Sequence, residues 1–209
     1  MPTSAVPLSQ SERAALADLL EQLGPDQPTR CEGWTTRDLA THLVVRDRRP
    51  DAGPGYLLGG PFGRWTERLH ARTREARPYG VLVAEVRSGP PAWLPTAWPP
   101  VDRLLNTAEL VVHHEDVRRA QPDWSPRDLP RSVQDQLWTS VRYLARGRTS
   151  TRPVGGLVVR RSDVPDGAPG SERRLRNGVP TTTVIGPPLE ILLWVSGRAT
   201  VACVDLTVE

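Results

Sequence analysis

Two segments of the chain carry carboxylates and imidazoles at helical spacing beside apolar stripes. In residues 101–117 an apolar face is formed by Leu105, Ala108, Val112 and Val117. At about 100° per residue, Glu109 and His113 lie about 40° apart next to that face, whereas His114 is about 140° from Glu109. Glu109 and His113 can share one metal ion, with His114 turned sideways or outward; a shift of one residue in register exchanges the two histidines. In the other segment Leu39 and Leu43 mark a buried stripe, and His42 sits beside them. A carboxylate and an imidazole facing inward from one helix, met by an imidazole from a second, is how metal sites are built inside helical bundles, since an unpaired buried charge costs too much. Two His and one Glu match a catalytic zinc site with its fourth position open, and iron, nickel and cobalt also accept that donor set. The same residues equally fit an i,i+4 pair on one helix and a hydrogen-bonded core histidine on another. Asp116 either orients the His113 ring or caps a solvated edge. The run from His114 is no metalloprotease motif, because Arg118 stands where H-E-x-x-H requires His.

These residues need a scaffold. Residues 8–24 read as a helix with a Ser9/Glu12 capping box, a stripe of Leu16, Leu19, Leu20 and Leu23, and a Gly24-Pro25 stop. Thr35 and Asp38 repeat the cap signal for a second helix that holds His42 and ends before Pro50. Residues 50–63, with Tyr56, form a Pro/Gly-rich connection, either a lid or a packed surface loop. A third helical region covers 64–87 with a break at Pro78, and residues 89–100 form a second rigid connection. A fourth helix runs from after Pro100 to Ala120, and a fifth over 132–146 carries Val133, Leu137, Val141 and Leu144 on one side. Beyond Gly147 come short β-branched runs at 156–161, 171–177, 180–185 and 200–208, with an apolar helix at 188–195. The fold class is α+β: an N-terminal helical bundle over residues 1–147 and a small C-terminal α+β lobe over 148–209.

Composition narrows the chemistry. With 209 residues, 38% hydrophobic, the chain holds one domain or two small ones, and 22 prolines and 17 glycines supply frequent breaks. All 27 basic residues are Arg. The absence of Lys closes the Walker A loop, Schiff-base and pyridoxal-phosphate chemistries. The formal charge is only +3, and acidic residues are interspersed with the arginines, which argues against a nucleic-acid partner. Cys31 and Cys203 form no disulfide framework or thiolate finger and are expected as small buried hydrophobes in a reducing cytoplasm. Residues 1–10 lack an export signal, and no window approaches the ~20 apolar residues of a membrane span. Trp34 is expected to anchor the loop before the second helix, and His70, in an Arg-rich helix, to lie at the surface.

The run from Gly33 to Leu43 (Gly-Trp-Thr-Thr-Arg-Asp-Leu-Ala-Thr-His-Leu), together with Asn106 to Glu109 and His113 to Ala120, resembles the mycothiol-dependent maleylpyruvate isomerase family. The stretch from Val184 to Trp194, followed by Gly197-Arg198, looks like the small α+β lobe of that family. The resemblance implies a DinB-like metal-binding four-helix bundle with zinc or a similar divalent ion on His42, Glu109 and His113, completed by the thiol of mycothiol. A metal-bound thiol is deprotonated near neutral pH and adds to an electrophilic carbon without a separate strong base. In the isomerase the thiol leaves again after rotation; in relatives that act as S-transferases it stays on the product. Arg198 matches an arginine of the lobe, where a guanidinium either holds a substrate carboxylate or binds the last carbonyls of a helix. Arg46, one turn beyond His42, lines the same cavity and is assigned to the thiol cosubstrate. Two other readings stay open: a hydrolase in which the same metal activates water, and a non-catalytic metal or small-molecule binding protein. The walls at 50–63 and 89–100 match nothing that identifies the substrate.

Overall fold

Leu16 and Leu20 fall one turn apart and need a partner surface. The computed structural model describes residues 6–94, 97, 98, 102, 106–147 and 155–209, and it encloses both leucines completely. They lie on α1 (Leu8–Leu23), which packs against α2 (Thr36–Arg48), α5 (Tyr79–Ser88) and α6 (Thr107–Arg118). Leu39, Ala40 and Leu43 of α2, Leu82 and Val86 of α5, and Leu110 and Val117 of α6 complete that core. A 3-10 turn (Pro50–Ala52), α3 (Gly53–Leu58) and α4 (Gly60–Ala76) fill the interval between α2 and α5. A smaller cluster of Val45, Ala52 and Leu69 ties them to α2.

The Pro/Gly-rich connection expected over 50–63 is therefore largely helical. Prolines stand in the first turn of the 3-10 segment, α3 and α4, where a missing N–H costs nothing and the fixed φ favours a helix. The break falls at Gly59, whose φ of 62° separates α3 from α4. The expected Ser9/Glu12 capping box does not form: α1 begins after Pro7, the Ser9 hydroxyl donates to Asp102, and Glu12 faces His114. Leu105, the side chain of Leu144, Pro99 and Pro100 of the second connection, and residues 1–5 lie outside the described residues.

The chain separates into two units, Met1–Trp124 and Ser125–Glu209. The sequence reading placed the division one helix later, after residue 147, because the change from helical to alternating pattern falls there. The difference is α7 (Arg131–Gly147): it packs on α8 (Pro188–Val195), and Leu137 and Val141 are fully buried. In the second unit β1 (Gly156–Arg161), β2 (Glu172–Arg176), β3 (Thr181–Gly186) and β4 (Asp205–Val208) form one sheet in the order β2-β1-β3-β4. The β1/β3 pair is parallel and the outer pairs antiparallel. Thr182 and Val184 of β3 are buried while their neighbours are half-covered, the alternation of a strand with one face on a core. Helical first unit and small α+β second unit agree with the expected fold class. Among the described residues no helix is long and apolar enough to cross a membrane.

Candidate metal centre

The start of α2 fixes the position of His42. The Thr35 hydroxyl oxygen accepts the Asp38 backbone N–H at 3.4 Å, and the Asp38 carboxylate accepts the Thr35 backbone N–H at 3.0 Å and the Thr35 hydroxyl at 2.8 Å. This is the capping box read from the sequence. Thr35→Ala is expected to cost about 1 kcal/mol of stability, read as a shift of the urea midpoint at unchanged slope.

On α6, His113, His114, Glu115 and Asp116 are four successive buried ionisable residues. At ~100° per residue they face four directions, so each must find its own partner. His114 Nδ1 lies 2.8 Å from Glu12 of α1. It is buried and turned sideways, away from solvent. Glu115 pairs with Arg118 at 2.8 Å and with the fully buried Arg119 at 2.5 Å. Asp116 Oδ2 is 2.9 Å from His113 Nδ1, so it orients that ring and caps no solvated edge.

His42, Glu109 and His113 are brought together. Their ligand atoms lie within 4.8 Å of one another, and the Nε2 atoms of both histidines approach Glu109 Oε1 at 3.2 Å. Burial opposes a charge on Glu109, but hydrogen bonds from His113 and His42 outweigh it and hold the carboxyl well below the usual range. Burial likewise opposes a proton on His113, yet Asp116, Cys31 and Glu109 raise it well above an ordinary histidine. His42 is pushed down, chiefly by burial. The centre thus gathers two imidazoles and a carboxylate around a common point, where a dication can take the place of a shared proton. The donor set fits a divalent metal: two imidazoles present Nε2, the carboxylate balances charge, and Asp116 supplies the outer partner that a ligating histidine needs. The Glu109 side chain remains 28% exposed, which leaves an approach from solvent. His42 Nδ1 is buried with no hydrogen-bond partner among the described residues.

Around His42 stand further rings: Trp34 at 5.2 Å, Tyr56 at 5.3 Å and His70 at 5.6 Å between centroids. His70 is not the surface residue expected. It is half-buried, its Nε2 lies 2.8 Å from the Tyr56 hydroxyl, and burial, with the His42 ring beside it, lowers its pKa to about 4. The signal was present in the spacing, since His70 follows the buried Thr66 by four residues and adjoins the buried Leu69, but the surrounding arginines masked it. Trp34 anchors its loop through backbone bonds to Thr29 and Cys31, as expected, and also lies against His42.

Cys31 is partly exposed, its thiol donating to Asp116 at 3.2 Å and lying 3.8 Å from His113 Nδ1. Cys203 is exposed and precedes β4. Neither is the buried apolar filler expected of it. Arg46 Nε reaches Glu109 at 3.5 Å, and its Nη1 donates to Asn106 at 2.7 Å. Arg198 belongs to the second unit, where its Nη1 donates to the Ser196 carbonyl at 2.8 Å, beyond the end of α8.

Residues 9–52 match the family described as the mycothiol maleylpyruvate isomerase N-terminal domain. Two solved structures share the fold: the crystal structure of the mycothiol-dependent maleylpyruvate isomerase, with a TM-score of 0.54, and that of a histidine-to-alanine mutant of it, with a TM-score of 0.55. Each is 16% identical, over 96% of this chain and 89% of the other. No curated protein matches the sequence.

Proposed function

We propose that this chain, which carries the N-terminal-domain pattern of the mycothiol maleylpyruvate isomerase family over residues 9–52, is a metal-dependent enzyme that uses mycothiol to isomerise, or transfer sulfur to, an electrophilic small molecule. The observation that carries this reading is the convergence of His42 Nε2, His113 Nε2 and the Glu109 carboxylate on one point open to solvent. A divalent metal there, zinc or a similar ion, would supply the Lewis acid that keeps a thiol deprotonated near neutral pH, the form that adds to an electrophilic carbon.

The chain's own residues do the rest. Glu109 balances charge, and Asp116 holds the His113 ring so that its Nε2 is presented. Arg46, beside Glu109, gives the cosubstrate a cation to bind. Arg198 enters through the resemblance alone, as the guanidinium for a substrate carboxylate. Asp116→Ala is expected to weaken zinc about 10–100-fold, measured by competition with a chromogenic chelator. The reading itself is tested by calorimetric titration of mycothiol into zinc-loaded and metal-free protein. Binding to the loaded form only supports it; a zinc-loaded protein that ignores mycothiol contradicts it.

A further inference from the structure

We propose that Tyr56 is a substrate-binding residue of this centre, its hydroxyl hydrogen-bonding the oxygen conjugated to the carbon that the thiol attacks, and that His70 is the positioning residue that holds the hydroxyl there. The inference rests on the proposed function and adds to it a residue pair that no metal ligand requires.

The pair is built by two helices that meet closely. A Cβ on Gly55 of α3 would collide with the Thr66 hydroxyl and the Phe62 carbonyl of α4, so the glycine permits the approach. The Thr66 hydroxyl donates to the Ala52 carbonyl at 2.9 Å and fastens the start of α3 to α4. One residue after Gly55, Tyr56 reaches His70 across the gap at 2.8 Å. The rings of Tyr56, His70 and His42 then form a triangle, with centroids 5.3, 5.6 and 6.0 Å apart, and Trp34 closes the side beyond His42. Tyr56 is 41% exposed, yet its ring lies edge-on to that of His42, 5.3 Å between centroids. It therefore spans from solvent to the metal centre.

Ordering two side chains across two helices costs entropy, so the contact must provide something in return. What the contact provides is a fixed direction. A tyrosine hydroxyl has one donor and two acceptor sites; in the proposed pair His70 takes the tautomer with its proton on Nε2, which donates to the oxygen and leaves the phenolic O–H to donate to a ligand. In thiolate addition to a conjugated carbonyl the C–S bond forms, the C=C pair moves toward the carbonyl, and negative charge grows on its oxygen. A preorganised donor at that oxygen lowers the barrier. Tyr56 keeps its proton throughout. The enolate then re-forms the double bond by expelling the thiolate, or is protonated at carbon by water when sulfur is retained.

The test uses cobalt(II)-substituted full-length protein, with acetate as the oxyanion probe and the visible cobalt bands as the readout. Tyr56→Phe is expected to weaken acetate about 10-fold or more, the effect of losing one hydrogen bond to a charged acceptor, with cobalt affinity unchanged. His70→Ala should reproduce the loss, and His70→Gln, which restores an N–H, should recover most of it. Equal acetate affinity in parent and Tyr56→Phe, or no acetate response in the parent, overturns this inference and leaves the metal reading standing. A parent protein that takes up no cobalt overturns both.

Discussion

Glu109→Gln is expected to bind no divalent metal while keeping its fold. The substitution preserves shape but removes the one negative charge at the point where both Nε2 atoms converge. Loss of an outer-shell partner alone costs about 10–100-fold in affinity, so loss of this ligand must cost more. His113 stays in place because Asp116 still holds its Nδ1, and the core of α1, α2, α5 and α6 is untouched. In the metal-free protein the Glu109 carboxyl is held well below its ordinary value of 4.5. A depressed folded pKa stabilises above the unfolded pKa, and that contribution is lost as pH falls through the folded one. The metal-free variant should therefore be less stable than the parent at neutral pH, and the two should converge in strong acid. Elemental analysis reads the metal, and urea denaturation at several pH values reads the stability.

The largest effect on stability is expected at Glu115. Its two oxygens accept from Arg118 and from an Arg119 side chain that solvent does not reach, and Trp124 stacks over that guanidinium at 4.7 Å. Glu115→Gln leaves a buried guanidinium without this carboxylate, a change that costs about 3–5 kcal/mol. The pair itself is worth far less than its disruption, since taking both charges out of water offsets most of their attraction. Adding Arg119→Met to Glu115→Gln should therefore recover much of the loss. A Glu115→Gln protein within 1 kcal/mol of the parent, on the scale of a surface change, would show that Arg119 does not depend on that charge.

Much of the centre is legible because helical spacing alone relates its residues, even on α6, which is buried nearly all round. The Leu39/Leu43 stripe gives the inward side of His42 on α2, and the 3.6-residue period puts Glu109 and His113 on one side of α6 and His114 on another. Two kinds of information were missing. A capping pattern does not say whether a distant partner will claim the side chains, and here Asp102 takes Ser9 and His114 takes Glu12. Local composition also hides a half-buried face, so the arginines of α4 concealed His70, and a loop-like Pro/Gly run concealed α3 with Tyr56. The boundary between the two units also depends on a distant partner. The pattern changes at residue 147, but the partner of α7 is α8, which comes forty residues later.

The central claim is that His42, Glu109 and His113 hold a metal, and the most direct test is to count it. Protein purified without added metal, then equilibrated with excess zinc and dialysed, is analysed by elemental mass spectrometry. The account predicts about one equivalent per chain, absent from Glu109→Gln treated in parallel. No zinc in a folded parent protein would contradict it, leaving the three residues as a hydrogen-bonded polar cluster inside a helical unit.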